Sequence, residues 1–144
     1  MSPAGPILDA SPPRRVLVVE DDELSANTLM AQLSTLGCTV ETTRNASEFL
    51  GRLLQPGAEF DLAIVDVHLP GLVGTDAITW IRQSENSDLR EIPVLVVTGF
   101  PLALPPDFCD DHAPCQVLPK PFRLAELRML IEEFSTAGQR TRLQ

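Results

Sequence analysis

The chain has 144 residues, of which 44% are hydrophobic and 22% charged, a balance typical of a globular protein and unlike that of a disordered one. This length suits one domain, and we expect no second folded domain of useful size. The formal charge of −9 at pH 7 argues against direct nucleic-acid binding, because phosphate backbones are bound by clustered lysine and arginine.

The cysteine content and the N-terminal residues indicate the cellular compartment of the protein. Three cysteines, an odd number, do not make a disulfide framework, so we expect a cytoplasmic protein. Residues 1–13 hold four prolines without apolar periodicity and are predicted to be a flexible leader outside the fold. This leader lacks the apolar centre of a signal peptide, and no apolar run in the sequence is long enough for membrane insertion.

The first predicted strand covers residues 15–20, which are apolar and β-branched on both faces, as a strand inside a parallel sheet requires. Asp21 and Asp22 follow, and leucines at helical spacing then predict a helix over residues 23–36. Gly37 suits the left-handed residue that ends such a helix. Asp22 is interpreted as a helix cap.

A second strand and helix come next. Apolar and polar residues alternate over residues 38–43, which predicts a strand, and Asn45 then caps a short helix that carries Phe49 on its apolar face. The next apolar run, residues 60–66, predicts a third strand. This strand delivers Asp66 to its carboxyl end.

A third helix and a fourth strand complete the middle of the chain. Gly71 and Gly74 predict a loop, after which Ile78 lies on the apolar face of a helix that ends near Glu85. The apolar run at residues 92–97 predicts the fourth strand.

Prolines dominate the segment after the fourth strand. Each proline removes a backbone donor or clashes with the preceding turn, so the fourth helix must be short or irregular, covering at most residues 107–113 with Pro106 at its first position. Residues 116–118 predict a short fifth strand, and residues 124–134 an amphipathic final helix. The polar tail, residues 137–144, is expected to fray.

Strands that alternate with helices predict a five-stranded parallel sheet covered by helices on both faces, with right-handed crossovers. Ligands of such α/β sheets bind at the carboxyl ends of the strands, beside the point where the strand order reverses. Candidate functional residues are therefore sought at the strand ends.

Those ends carry residues suited to one kind of chemistry. Clustered carboxylates repel each other unless a cation compensates, and oxygen-only ligands suit Mg²⁺. A lysine supplies a positive charge for a phosphoryl oxygen, and a threonine supplies a hydroxyl donor. The sequence therefore predicts a phosphorylation site with bound magnesium. The residues concerned are Glu20, Asp21 and Asp22 after the first strand, Asp66 after the third, Thr98 after the fourth and Lys120 after the fifth.

These motifs, in this order, resemble the receiver domains of two-component response regulators. The resemblance covers about residues 15–134 of a domain predicted over residues 14–136, and it implies a flavodoxin-like, doubly wound sheet of order 2-1-3-4-5. The ordered set is specific, although each motif alone is weak. The motifs are residues 16–22, Asp66 followed by Pro70 and Gly74, Thr98-Gly99 and Lys120-Pro121-Phe122.

The resemblance also implies roles for single residues. Asp66 is similar to the family's phosphoacceptor nucleophile, Asp21 to its direct Mg²⁺ ligand and Glu20 to the ligand that acts through water. Asp66 and the backbone carbonyl of His68 would supply further metal oxygens. Lys120 resembles the lysine that pairs with the phosphoryl group.

Thr98 resembles the family's hydroxyl that moves toward the phosphoryl group after transfer. The implied phosphodonor is a histidine kinase or a histidine phosphotransfer protein. The implied class is a signalling domain and no enzyme, beyond catalysing its own phosphorylation and dephosphorylation. Since no output domain follows Phe134 in this sequence, we expect output through contact with a downstream protein target. The sequence does not identify that target. It also leaves two alternatives, that the chain forms a homodimer and that it comes from a larger hybrid kinase.

Two departures from the family pattern affect these expectations. Val117 occupies the position of the aromatic residue that changes rotamer on phosphorylation in receivers, so the usual coupling from Thr98 to that ring cannot operate here. His68 and Phe100 flank the acceptor site and are both bulky. A ring over the acyl phosphate hinders the attacking water, which predicts slow autodephosphorylation.

Three other interpretations account for parts of the sequence. The runner-up is a pseudo-receiver, an interaction module with this fold that phosphorylation does not regulate, and Val117 and the short fourth helix favour it. A phosphatase with an aspartyl nucleophile is disfavoured, because His68 stands where such enzymes have a second acid. A zinc site at Cys109, His112 and Cys115 is also disfavoured, since these three ligands lack a fourth.

Overall fold

The computed structural model describes residues 14–67 and 73–143, so predictions on the leader, on residues 68–72 and on Gln144 lie outside the described residues. The described chain forms five β-strands, six α-helices and a 3-10 turn. The strands are β1 Arg15–Val19, β2 Thr39–Thr43, β3 Leu62–Val67, β4 Val94–Thr98 and β5 Cys115–Pro119. The helices are α1 Glu23–Thr35, α2 Ala46–Leu54, α3 Val73–Arg82, α4 Ser87–Arg90, α5 Phe108–Asp111 and α6 Leu124–Leu143, and the 3-10 turn is Pro101–Ala103.

All neighbouring strands of the sheet are parallel, and their order is β2-β1-β3-β4-β5. The predicted flavodoxin-like fold is confirmed. Each face of the sheet carries its own apolar core: α1 and α6 cover one face, and α2 to α5 cover the other. The three central strands are apolar on both faces because both faces are covered, as the continuous apolar runs of the sequence predict.

Capping residues begin the first two helices where the sequence predicts them. Asp22 accepts a hydrogen bond from the Ser25 amide at 2.9 Å, and Asn45 accepts one from the Glu48 amide at 2.9 Å. Gly37 follows α1 with a φ of +87°, the left-handed conformation that glycine adopts without steric cost.

The starts of two strands differ from the prediction. β3 begins at Leu62 and not at residue 60. Before Leu62, the Arg15 amide of β1 donates a 2.8 Å hydrogen bond to the side chain of Asp61 and not to a backbone carbonyl. β4 begins at Val94 and not at residue 92, because an unpredicted short helix, α4, precedes it. Asn86 caps α4 by accepting from the Asp88 and Leu89 amides.

Two helix boundaries also need correction. Gly74 lies in the first turn of α3 and not in the preceding loop, and α3 ends at Arg82 and not near Glu85. α6 continues to Leu143, although fraying was expected from residue 137. Residues 137–144 contain no proline and several good helix formers, so nothing local ends the helix. None of the helices in the described part of the chain is both long and apolar enough to cross a membrane.

The connection between β4 and β5 is short and irregular, as its prolines predict. It contains the 3-10 turn and the four-residue helix α5, separated by Leu104, two prolines and Asp107. Pro106 is not the first helical position, because Asp107 is the N-cap and α5 begins at Phe108. Phe108 is 7% exposed and anchors this helix to the core.

Candidate functional site

Strand register brings two acidic residues together at the carboxyl edge of the sheet. Val19 of β1 pairs with Val65 of β3, so the residues that follow them, Glu20 and Asp66, lie side by side. Glu20 is 2% exposed and the side chain of Asp66 is 3% exposed. Two carboxylates withdrawn from water at this spacing require compensating positive charge.

Lys120 supplies part of that charge from the segment after β5. Its Nζ lies 2.8 Å from Asp66 Oδ2 and 3.9 Å from Glu20 Oε1. Its backbone is held by a 2.7 Å hydrogen bond from its amide to the Thr98 carbonyl, and the peptide bond to Pro121 is cis. One lysine between two buried carboxylates leaves an excess of negative charge, which attracts a cation.

The other oxygen of the Asp66 carboxylate, Oδ1, indicates what this site can bind. Asp66 Oδ1 is buried and has no hydrogen-bond partner among the described residues. Leaving a buried acceptor without a partner costs about 1–3 kcal/mol, so such an atom indicates a site for a ligand or a reacting group. Because Lys120 pairs with Oδ2, Oδ1 is the oxygen that is available to bind a ligand or to react.

Thr98 ends β4 beside β3, in register with Val67. The side chain is buried, and its Oγ1 accepts a hydrogen bond from the Phe100 amide at 2.9 Å. The hydroxyl keeps its own hydrogen, so Thr98 can still donate to an anion at this edge.

The remaining acidic residues take different positions. Asp21 follows Glu20 directly and is exposed at the rim of the sheet. The amide of Asp22 donates to Glu20 Oε2 at 3.0 Å and so orients the Glu20 carboxylate, a main-chain contact that residue types do not reveal. His68, whose carbonyl is a predicted metal ligand, lies outside the described residues.

The oxygen donors at this edge suit magnesium. Within residues 14–67 and 73–143, no three His, Cys, Asp or Glu side chains converge so that they alone hold a metal ion. Mg²⁺ does not need such a cage, since it keeps several waters and takes one or two carboxylates, so the buried Asp66 Oδ1 and the excess negative charge fit it.

Zinc is not favoured at Cys109, His112 and Cys115. Both ring nitrogens of His112 are engaged: Nε2 lies 3.1 Å from Thr79 Oγ1, and Nδ1 lies 2.8 Å from the Phe108 carbonyl. A zinc-bound histidine needs one of these nitrogens for the metal.

A 2-1-3-4-5 parallel sheet with Asp, Glu and Lys at its carboxyl edge defines a class of α/β signalling domains. The model of one family, the response regulator receiver domain, matches residues 16–132. The chain therefore belongs to the response regulator receiver family, as its motifs indicate.

Relatives and solved structures agree with this assignment. The chain is 30% identical over 126 residues to hybrid signal transduction histidine kinase G of Dictyostelium discoideum, covering 83% of this chain but 4% of that protein. It is 33% identical over 90 residues to the polar-differentiation response regulator DivK of Brucella anthropi, covering 61% of this chain and 68% of DivK.

The receiver domain of a Pseudomonas aeruginosa sensor histidine kinase, solved with a magnesium ion in its active-site cleft, is 28% identical with a TM-score of 0.67. That likeness covers 85% of this chain and 97% of the solved one. By contrast, this chain spans only 4% and 7% of two Dictyostelium hybrid kinases that it matches.

Proposed function

We propose that this chain accepts a phosphoryl group on Asp66 and passes the signal on by protein contact. The observation that carries the proposal is the state of the Asp66 carboxylate: Lys120 holds Oδ2 at 2.8 Å, while Oδ1 is buried without a partner among the described residues. A buried nucleophile with one oxygen fixed and the other unengaged is preorganised for in-line attack.

In the proposed reaction, Asp66 Oδ1 attacks the phosphorus of a phosphohistidine. The new O–P bond forms as the P–N bond breaks, and the leaving imidazole takes up a proton. Lys120 neutralises charge on the phosphoryl oxygens, and Thr98 donates its hydroxyl hydrogen to one of them after transfer. The chain is in this proposal a phosphoacceptor and not an enzyme acting on other substrates.

Magnesium completes the charge balance in this proposal. Bound Mg²⁺ supplies positive charge that offsets the incoming phosphoryl group and the buried carboxylates. The proposed ligands are Asp66 and Asp21 directly, Glu20 through water and the backbone carbonyl of His68. The proposal is supported by the donor chemistry at this edge and by the magnesium found in the related Pseudomonas receiver.

The proposed phosphodonor is a histidine kinase or a histidine phosphotransfer protein. The hybrid histidine kinases among the relatives support this choice. The proposed location is the cytoplasm, where such donors present their phosphohistidines. The downstream target is a protein that recognises the phosphorylated form.

The test is incubation of the full chain with Mg²⁺ and acetyl phosphate, followed by intact-mass measurement. We expect a mass increase of one phosphoryl group in the wild type and none in Asp66→Asn. Asp107→Asn is the matched control, because Asp107 is an exposed aspartate whose side chain makes no capping hydrogen bond. Uptake in Asp66→Asn equal to that of the wild type would contradict the assignment of the acceptor.

A pseudo-receiver is the alternative, and one observation favours it. Val117 is half-buried in β5 and carries no ring that could report phosphorylation to a partner. If the wild type takes up no phosphoryl group from acetyl phosphate or from a phosphorylated histidine phosphotransfer protein, the pseudo-receiver is the correct description.

A further inference from the structure

Two of the three cysteines lie in contact at the end of the sheet opposite the phosphoacceptor site. Cys109 is in α5 and Cys115 begins β5, and their Sγ atoms are 2.9 Å apart. Both thiols are free. A disulfide has a sulfur–sulfur bond of about 2.05 Å, so the two sulfurs need to approach by less than about 1 Å to bond.

The two thiols differ in acidity and in access. The two sulfur atoms are within hydrogen-bond distance, and either thiol can be the donor. A hydrogen bond from Cys115 lowers the pKa of Cys109, although burial and the nearby Asp110 oppose that effect. The same hydrogen bond and burial raise the pKa of Cys115, while the nearby Arg82 guanidinium acts in the other direction. Cys109 is partly exposed and Cys115 is 7% exposed. Cys109 is therefore the thiol that ionises and meets solutes first.

We propose that Cys109 and Cys115 form a thiol–disulfide redox site whose oxidant is a hydroperoxide. Cys109 is the attacking cysteine and Cys115 the resolving cysteine. A reactive, accessible thiolate next to a second thiol is the arrangement that lets a protein react reversibly with peroxide.

The chemistry balances in two steps. The Cys109 thiolate attacks one peroxide oxygen, the O–O bond breaks, and the departing oxygen leaves as water after protonation, giving a sulfenic acid on Cys109. The Cys115 sulfur then attacks Cys109 Sγ, the S–S bond forms, and the S–O bond breaks with release of a second water. Overall, two thiols lose two protons and two electrons, and one hydrogen peroxide becomes two waters.

This site is separate from the phosphoacceptor site. Cys115 pairs with Val94 at the amino end of β4, whereas Pro119 pairs with Thr98 at its carboxyl end. The intervening strand is about 13 Å long at ~3.3 Å per residue. The redox proposal therefore stands whether or not Asp66 is phosphorylated.

The third cysteine is an internal control. Cys38 packs in the core under α1 and α6, on the sheet face opposite to the one that holds Cys109 and Cys115. Cys38 is 8% exposed, and burial raises the pKa of its thiol. It should be inert toward peroxide and too distant to exchange with the pair.

The test uses the full chain, reduced and freed of reductant, then treated with hydrogen peroxide at neutral pH. We expect an intact-mass loss of two hydrogen atoms, located in the fragment 91–123 that trypsin releases with both cysteines, and reversed by dithiothreitol. Cys38→Ser should behave like the wild type. Cys115→Ser should instead accumulate a sulfenic acid on Cys109 that dimedone traps.

The Cys109→Ser variant tests whether peroxide reacts specifically at this cysteine pair or oxidises all thiols of the chain alike. It should lose peroxide reactivity at least about tenfold, because the remaining thiols are buried and protonated. Melting curves recorded for each variant establish that it is folded. The proposal is overturned if the wild type forms only disulfide-linked dimers, if it stays reduced, or if folded Cys109→Ser is oxidised as fast as the wild type.

Discussion

Lys120 sets the electrostatics of the site. Its ammonium bonds Asp66 at 2.8 Å and lies 3.9 Å from Glu20, and its side chain is 30% exposed. Removing this cation leaves two buried carboxylates side by side, which repel each other and have lost their solvation by water.

Lys120→Met should therefore lower the free energy of unfolding by about 2–3 kcal/mol at pH 7. In an Asp66→Asn background the loss should be smaller by about 1–2 kcal/mol, since one of the two carboxylates is gone. Urea unfolding of the four chains in EDTA measures this coupling. Arg123→Met, at a nearby exposed residue, is the control and should change stability little. Equal losses in both backgrounds would show that Lys120 and Asp66 are not coupled.

Phe100 bears on the lifetime of the phosphoryl group. Its ring is 57% exposed, and its amide is held by Thr98 Oγ1, so the ring stands at the edge of the site and not in the core. If the ring hinders the attacking water, Phe100→Ala should release phosphate about fivefold faster, which corresponds to about 1 kcal/mol of barrier.

Phosphate release from the purified phosphorylated chains measures this effect. Leu102→Ala is the control, because Leu102 is 98% exposed and lies in the 3-10 turn beyond Phe100. Equal rates of phosphate release from wild type and Phe100→Ala would contradict the steric explanation.

The placement of the candidate residues at one edge of the sheet could be predicted because the motif and the topology act together. Apolar runs that end in Glu20, Asp66 and Thr98 identify strands, and parallel strands place their carboxyl ends on one edge. The orientation of Glu20 by the Asp22 amide could not be predicted, since any residue type supplies that donor. Likewise, nothing in the pattern indicated that Arg82 donates to the carbonyls of His112, Arg90 and Pro114.

Strand β2 is an edge strand held by a charged cluster. Glu41 accepts two hydrogen bonds from Arg52 of α2, at 2.8 and 2.9 Å, and one from Arg15 of β1 at 3.3 Å. Both guanidinium groups also lie over the Phe60 ring, at 4.9 and 5.0 Å. The cluster ties β1, β2 and α2 together where β2 is only partly buried.

The Arg52 hydrogen bonds lower the pKa of Glu41 below its ordinary value of 4.5. A depressed pKa means that the ion pair stabilises the fold above pH 4.5 and that this stability is lost as the pH falls through the lower folded value. Glu41→Gln should therefore cost about 0.5–1 kcal/mol at pH 7, a small figure because the side chain is 38% exposed, and progressively less below pH 4.5.

Urea midpoints of wild type and Glu41→Gln between pH 3 and pH 7 measure this dependence. Glu91→Gln is the control, because Glu91 is 64% exposed and its pair with Arg90 is 3.8 Å long. A difference between wild type and Glu41→Gln that persists unchanged at the lowest pH would contradict the assignment of the effect to the ionised carboxylate.

Element boundaries were harder to predict than element types. All five strands could be predicted, β2 from its alternation of apolar and polar residues and not from an apolar run, but α4 could not, because Ser87–Arg90 is too short to show helical periodicity. Its one local signal is Asn86, a good N-cap that also suits a turn. Gly74 was assigned to a loop by its residue type, although the first turn of a helix tolerates glycine when neighbouring residues pack.

At the scale of the whole molecule, both the net negative charge and the sheet topology concentrate negative charge at the carboxyl edge of the sheet. The chain carries a net charge of −9, and the topology brings acidic residues from β1 and β3 together where Lys120 supplies one positive charge. A divalent cation at this edge relieves both the local and the global repulsion. The folded state should then bind Mg²⁺ and the unfolded chain should not, so Mg²⁺ should stabilise the fold.

The expected gain in the free energy of unfolding is about 2.7 kcal/mol at a Mg²⁺ concentration 100 times the dissociation constant. Thermal melting of the unphosphorylated chain with increasing MgCl₂, against NaCl at equal ionic strength, measures it. Asp66→Asn and Asp21→Asn should each lose most of the gain, and Asp107→Asn should keep it. If NaCl produces the same gain in stability, or if Asp66→Asn retains the full gain, the effect is general screening of negative charge and not Mg²⁺ binding at this site. Because this measurement needs no phosphodonor, it separates metal binding from phosphoryl uptake.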